Sequence, residues 1–150
     1  MSGAGGSEDG GARVPLTVRL TQLGRDAGAG LRRRLEPLGL DTRQYRVLSA
    51  VATLGGCSQR ALTARLGIPP SRVVAILDAL EGRGLVERRN RPGDRRSYAL
   101  VLTPAGRDLL ERAGALVQEV DMELLGGLAD SDRDALEALV ARVVANCRRC

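Results

Sequence analysis

Apolar positions along this chain fall into six blocks with helical spacing and one block that alternates. Leu16, Leu20, Leu23, Ala27, Leu31, Leu35 and Leu38 recur every three or four residues, which predicts a first helix starting near Pro15. Asp41 and Gln44 have capping-box spacing and open a second helix with Tyr45, Leu48, Val51 and Leu54 on one face, ended by Gly55-Gly56. Residues 58–66 suit a short helix capped by Ser58 and stopped at Gly67. After the turn Ile68-Pro69-Pro70, Ser71 to Arg83 predicts a helix with Val73, Ile76, Leu77 and Leu80 inward. Then the period changes. Leu85 and Val86 begin an extended segment, Asn90, Pro92 and Gly93 supply turn chemistry, and Tyr98, Leu100 and Leu102 alternate with Ser97, Ala99 and Val101 as a return strand. Thr103 is placed to cap a long helix with Pro104 in its first position, where a missing N–H costs nothing. That helix presents Leu109, Leu110, Ala113, Leu116, Val117, Val120, Leu124 and Leu125, and Gly126-Gly127 breaks it. Ser131 with Asp134 is read as the cap of a last helix bearing Leu136, Leu139, Val140, Val143 and Val144.

Two short helices joined by a tight turn and followed by a basic hairpin describe a winged helix-turn-helix. The expected fold is therefore mainly α with a small β-hairpin wing. Residues 1–12 read as a disordered Gly-rich tail, and 13–150 as a single domain, with the winged helix-turn-helix at about 41–103. The flanking helices, about 13–40 and 104–148, carry more apolar surface than one small module needs, which suits either an intramolecular core or a dimerisation region made from both chain ends. A two-fold dimer would present two recognition helices about 34 Å apart, one turn of DNA.

Charge sharpens this picture. The chain of 150 residues has a net charge of +5, and all 23 of its cations are arginines, whose planar forks suit phosphate and guanine edges. Histidine, Trp and Phe are absent, which removes Ser-His-Asp and Cys-His catalysis, His-containing zinc sites and His-based pH switching. No paired-carboxylate or phosphate-loop motif stands out, so the chain is read as no enzyme, with no cofactor and no metal. No run of 18 apolar residues and no secretory leader occur, which points to a cytoplasmic location and no membrane partner.

Candidate contacts with double-stranded DNA follow from these elements. On the fourth helix Ser71, Arg72, Val74 and Ala75 are the candidates, with Arg72 able to grip a guanine by two hydrogen bonds. Ser58, Gln59 and Arg60 lie at a helix N-terminus, whose free N–H groups favour phosphate. Arg95 and Arg96 lie in the hairpin tip beside Asp94. The cysteines, Cys57, Cys147 and Cys150, offer an alternative: a thiol-based redox sensor, using Cys57 at a helix start or the Cys147-x-x-Cys150 pair with two arginines between. A further alternative is a winged helix used only for contact with other proteins.

The run LEGRGLVERRNRPGDRRSYALVLTPAGRDLL, residues 80–110, resembles the wing of the MarR (multiple antibiotic resistance regulator) family through Asp94-x-Arg96 and the Leu102-Thr103-x-x-Gly106 element. The resemblance extends over about residues 13–148. It implies a homodimeric bacterial DNA-binding repressor or activator whose affinity responds to a small-molecule effector or to oxidation. It also implies that Arg96 enters the minor groove, with Asp94 orienting it. An effector site between the dimer region and the winged domain is implied too, where Tyr45 and Arg46 are the candidates. The sequence departs from the pattern at Val74 and Ala75, where members of the family often carry Thr or Ser and then Arg.

Overall fold

The computed structural model describes residues 13–91 and 94–147, with the side chains of residue 91 and residues 94–97 outside the description. The tail expected at residues 1–12 and the cysteine at position 150 also lie outside the described residues.

Helix α1 spans Leu16–Leu35 and passes through a 3-10 turn, Glu36–Leu38, into α2, Thr42–Leu54. Pro37 explains why the apolar repeat that includes Leu38 does not continue as α-helix: its nitrogen has no hydrogen to donate. At the start of α2 the Asp41 carboxylate accepts from Gln44 N at 2.7 Å, and the Gln44 side chain accepts from Asp41 N at 3.1 Å, the capping box expected from the spacing. Helix α3, Gln59–Leu66, is capped by Ser58 Oγ, which accepts from Ala61 N at 3.2 Å. It stops at Gly67, whose φ of +63° few other residues tolerate.

Helix α4 runs Pro70–Gly82, one residue earlier at each end than the expected Ser71–Arg83. Pro70 occupies a first-turn position, and Arg83 is the C-terminal cap. Strands β1, Val86–Arg91, and β2, Asp94–Leu102, pair antiparallel with Val86 opposite Leu102 and Asn90 opposite Tyr98, and the register shifts between Asn90 and Arg91. Cys57 O accepts from Leu100 N at 2.7 Å, so the residue before the cap of α3 ties β2 to the helix-turn-helix.

Helix α5, Pro104–Leu124, begins at a compact junction. Thr103 Oγ1 accepts from Gly106 N at 2.9 Å and donates to Gly84 O at 2.6 Å, while Thr103 N donates to Leu85 O at 3.1 Å. A Cβ placed on Gly106 would lie 2.0 Å from Leu85 O. The Thr103-x-x-Gly106 element is thus a cap plus a close backbone crossing that only glycine permits. Helix α6 spans Asp130–Cys147, and here the expected Ser131 cap is corrected. Ala129 O accepts from Asp132 N and Arg133 N, each at 3.0 Å, so the helical ladder opens at Ala129 and Ser131 lies inside the first turn.

The buried cluster draws on the end of α1, on α2, α3, α4, both strands and the start of α5. Leu35, Val47, Leu48, Leu62, Val73 and Leu77 are among its most enclosed members. Burying such a side chain contributes about 1.5–3 kcal/mol. By contrast α6 buries nothing, and the first half of α1 is exposed. Arg34 ties the remainder of α1 to α5 through Glu119 at 2.5 Å and through Glu123.

Candidate nucleic-acid interface

Burial of Val73, Leu77 and Leu80 turns the opposite face of α4 outward and leaves Ser71, Arg72 and Ala75 exposed, with Val74 half-buried between them. The recognition-helix candidates therefore share one solvent-facing surface, as their spacing required. Arg60 is exposed and Gln59 half-buried on the first turn of α3. Ser58 is half-buried and its Oγ accepts the α3 cap bond, which leaves its O–H, the backbone N–H groups of the first turn and Arg60 as donors that could meet an anion.

The hairpin is held against α4 by charge. Arg88 on β1 reaches Asp78 at 3.1 Å and Glu81 at 2.6 Å, both on α4. At the far end of α4, Arg83 donates to Gly39 O at 2.7 Å and Leu38 O at 3.3 Å, so the helix is also anchored to the α1–α2 turn. Asp78 and Glu81 stand three residues apart on α4, a spacing that puts both acids within reach of one guanidinium. The backbone of Asp94, Arg95 and Arg96 belongs to β2, and the side-chain roles expected for them lie outside the described residues.

Arg43 and Arg65, absent from the sequence reading, join the surface beside Arg46. Arg43 and Arg46 of α2 line a small groove with Leu66, Ile68, Arg72 and Ile76, and Arg65 borders the adjoining depression of about 210 Å³ together with Tyr45, Arg46 and Ser49. The signal available was the i, i+3 spacing of Arg43 and Arg46, which puts both on one side of the first turns of α2.

Tyr45 and Arg46, the effector candidates, diverge in their partners. Arg46 Nη2 donates to Leu66 O at 3.3 Å, at the C-terminus of α3. Tyr45 packs half-buried against the core, where burial first and then the Asp121 carboxylate of α5 raise its phenol above the usual 10.0. Cys57 is buried and Cys147 exposed. Among the described residues, no group of three or more metal-ligating side chains converges, and no helix is long and apolar enough to cross a membrane.

The fold and this surface define a winged helix-turn-helix protein. The sequence model described as "MarR family" matches residues 38–97. A putative transcriptional regulatory protein for the hcr operon of Thauera aromatica is 33% identical over 105 residues, covering 70% of this chain, and the chain spans 63% of that relative's length. The repressor CouR, solved bound to a 23-mer DNA duplex, is 35% identical, covers 87% of this chain and 92% of its own, and superposes with a TM-score of 0.80. CouR from Rhodococcus jostii RHA1 bound to p-coumaroyl-CoA matches at 30% identity over 85% of this chain and 90% of its own, with a TM-score of 0.77. A mutant of MarR from E. coli complexed with operator DNA matches at 27% identity over 87% and 94% of the two chains, with a TM-score of 0.77. This chain belongs to the MarR family, a family of transcriptional regulators.

Proposed function

We propose that the chain is a cytoplasmic, homodimeric transcriptional repressor that binds a palindromic site in double-stranded DNA and is released by a small-molecule effector. The observation that carries this reading is the outward face of α4, with Arg72 exposed at its N-terminal end and the adjacent wing locked to the same helix by Arg88. Arg72 is assigned to a guanine edge, while Ala75 and Val74 offer apolar contact to thymine methyls in place of hydrogen-bond readers. Ser71, Ser58, Gln59, Arg60 and Arg95 are assigned to the phosphate backbone, and Arg96, oriented by Asp94, to the minor groove. Residues 41–103 hold 11 arginines against five acids, whereas 104–150 hold nine acids against six arginines, so the positive field is concentrated on the winged module.

Dimerisation is supported by the uncovered apolar residues of the flanking helices. Leu16, Leu23, Met122, Leu139 and Val140 are each at least half exposed in the single chain. Large apolar side chains left open in one chain favour association with a second. Added methyl groups on Gly24 and Gly28 of α1 would meet nothing within 4 Å, which leaves room for a second helix to approach closely. Effector binding is supported by the p-coumaroyl-CoA complex of CouR, and Tyr45, which feels the Asp121 carboxylate of α5, is the residue assigned to the effector site, with Arg46 next to it in sequence. The test is selection of bound duplexes from random DNA, followed by measurement of affinity against salt. A recovered palindrome bound with a steep salt dependence is expected, because displaced counterions drive association. Protein that selects no sequence and binds duplex without salt dependence would instead be an interaction module.

A further inference from the structure

Arg43 stands in the first turn of α2, and Arg72 in the first turn of α4. Neither turn contains an acidic residue, and a cation there opposes the positive end of the helix dipole. Helix stability therefore disfavours both residues where they stand. The fold nevertheless brings them together: Arg43, Arg46 and Arg72 line one groove, and Arg65, in the last turn of α3, continues it along Arg46. All four are exposed, and among the described residues none of them pairs with a carboxylate, while Arg34, Arg88, Arg89 and Arg112 all do. The one carboxylate close in sequence, Asp41, is engaged with Gln44 N at 2.7 Å in the α2 cap. Two helix N-termini and four guanidinium groups, none with a carboxylate partner among the described residues, thus meet on a surface continuous with the recognition helix.

We propose that Arg43, Arg46 and Arg65 form a backbone-tracking strip that holds the phosphodiesters of one DNA strand beside the base pair read by Arg72. The inference rests on the DNA-binding reading above and extends the contact surface from α4 and the wing to α2 and the end of α3. Arg46 is fixed by its bond to Leu66 O and sits at the centre of the strip, with Arg43 and Arg65 on either side. Because phosphate carries no base identity, the strip governs affinity and register, and Arg72 governs sequence.

The experiment compares wild type with Arg43→Gln, Arg65→Gln, the double variant and Arg43→Lys. Affinity is measured on the duplex selected from random DNA and on an unrelated duplex, at several salt concentrations, with thermal melting as the check on folding. Each phosphate contact contributes roughly 0.9 to the slope of log K against log salt. The double variant is therefore expected to lose about three to four units of slope per dimer, equally on both duplexes and with an unaltered base preference, and Arg43→Lys is expected to retain it. Folded variants with the wild-type slope would overturn the strip and leave the parent reading intact. Wild-type protein with no salt-dependent duplex binding would overturn both. A loss confined to the selected duplex would also overturn it, since that pattern belongs to base readout.

Discussion

Arg88 of the wing and Asp78 of the recognition helix are joined by an ion pair of 3.1 Å, and the same guanidinium reaches Glu81 one turn further along. The hairpin is otherwise a two-stranded ribbon with little core of its own. Its base is seated by buried Val86, Leu100 and Leu102 and by the Cys57–Leu100 bridge, and Arg88 adds a tie to α4 further out. Asp78 and Glu81 are three residues apart on α4, so one guanidinium of the wing spans two acids of the recognition helix.

Arg88→Ala is expected to separate affinity from stability. Partly exposed ion pairs contribute about 0–1 kcal/mol, so the melting temperature should shift by a few degrees at most. DNA affinity should fall by more than the stability loss accounts for, because the wing is no longer held for simultaneous contact. The comparison is thermal melting against duplex binding for Arg88→Ala and for the double replacement Asp78→Asn/Glu81→Gln. Affinity unchanged in both variants would show that the wing needs no brace.

Gly106→Ala tests the junction between wing and α5. The new methyl would lie 2.0 Å from Leu85 O, a backbone atom that cannot swing aside. Overpacking of this kind costs about 1–3 kcal/mol, and more where backbone is the obstacle. Gly28→Ala is the control: it meets nothing within 4 Å in the single chain and removes a helix-interior glycine. Denaturant unfolding should find the first variant clearly less stable than wild type; equal midpoints would refute the close crossing.

Removal of residues 131–150 tests the role of α6. It strips away Leu136, Leu139, Val140, Val143 and Val144, none of which is buried within one chain. Sedimentation should report a monomer or insoluble protein with weak DNA binding. A deletion variant that stays dimeric and binds tightly would place the association surface elsewhere.

Tyr45 gives a pH prediction. Its folded pKa stands above the unfolded 10.0, owing to burial first and to Asp121 second. The corresponding stability is fully present below pH 10.0 and is lost as pH rises through the folded pKa. Tyr45→Phe should therefore flatten the alkaline fall in unfolding free energy. An identical alkaline profile for wild type and variant would exclude Tyr45 as its source.

Local signals carried most of the fold. Asp41 with Gln44, Ser58, Gly67 and Thr103 fix helix ends through contacts within a few residues, so chain order alone revealed them. The hairpin was legible because its period changes to two at Tyr98, Leu100 and Leu102. The Ser131 cap was misplaced because the helical ladder opens at Ala129, whose side chain carries no capping oxygen to mark the start in sequence. The Arg43–Arg72 groove and the Arg83 anchor join elements about 30 and 44 residues apart, and no periodicity encodes such distances. The apolar stripe of α6 was visible in sequence, but its being uncovered in a single chain is a property of the tertiary fold.

If α4 reads bases while the wing holds the duplex, replacing Arg72 and Arg96 by Ala separates the two roles. Affinity of each variant is measured for the selected site, a half-site mutant and random duplex across several salt concentrations. Arg72→Ala is expected to cost about 1–3 kcal/mol at the selected site and to relax base choice at one position per half-site. Arg96→Ala is expected to weaken binding to all three duplexes together and to lower the salt slope by about one unit per chain. Equal loss on specific and random DNA for Arg72→Ala, or no loss at all for Arg96→Ala, would refute this division of roles.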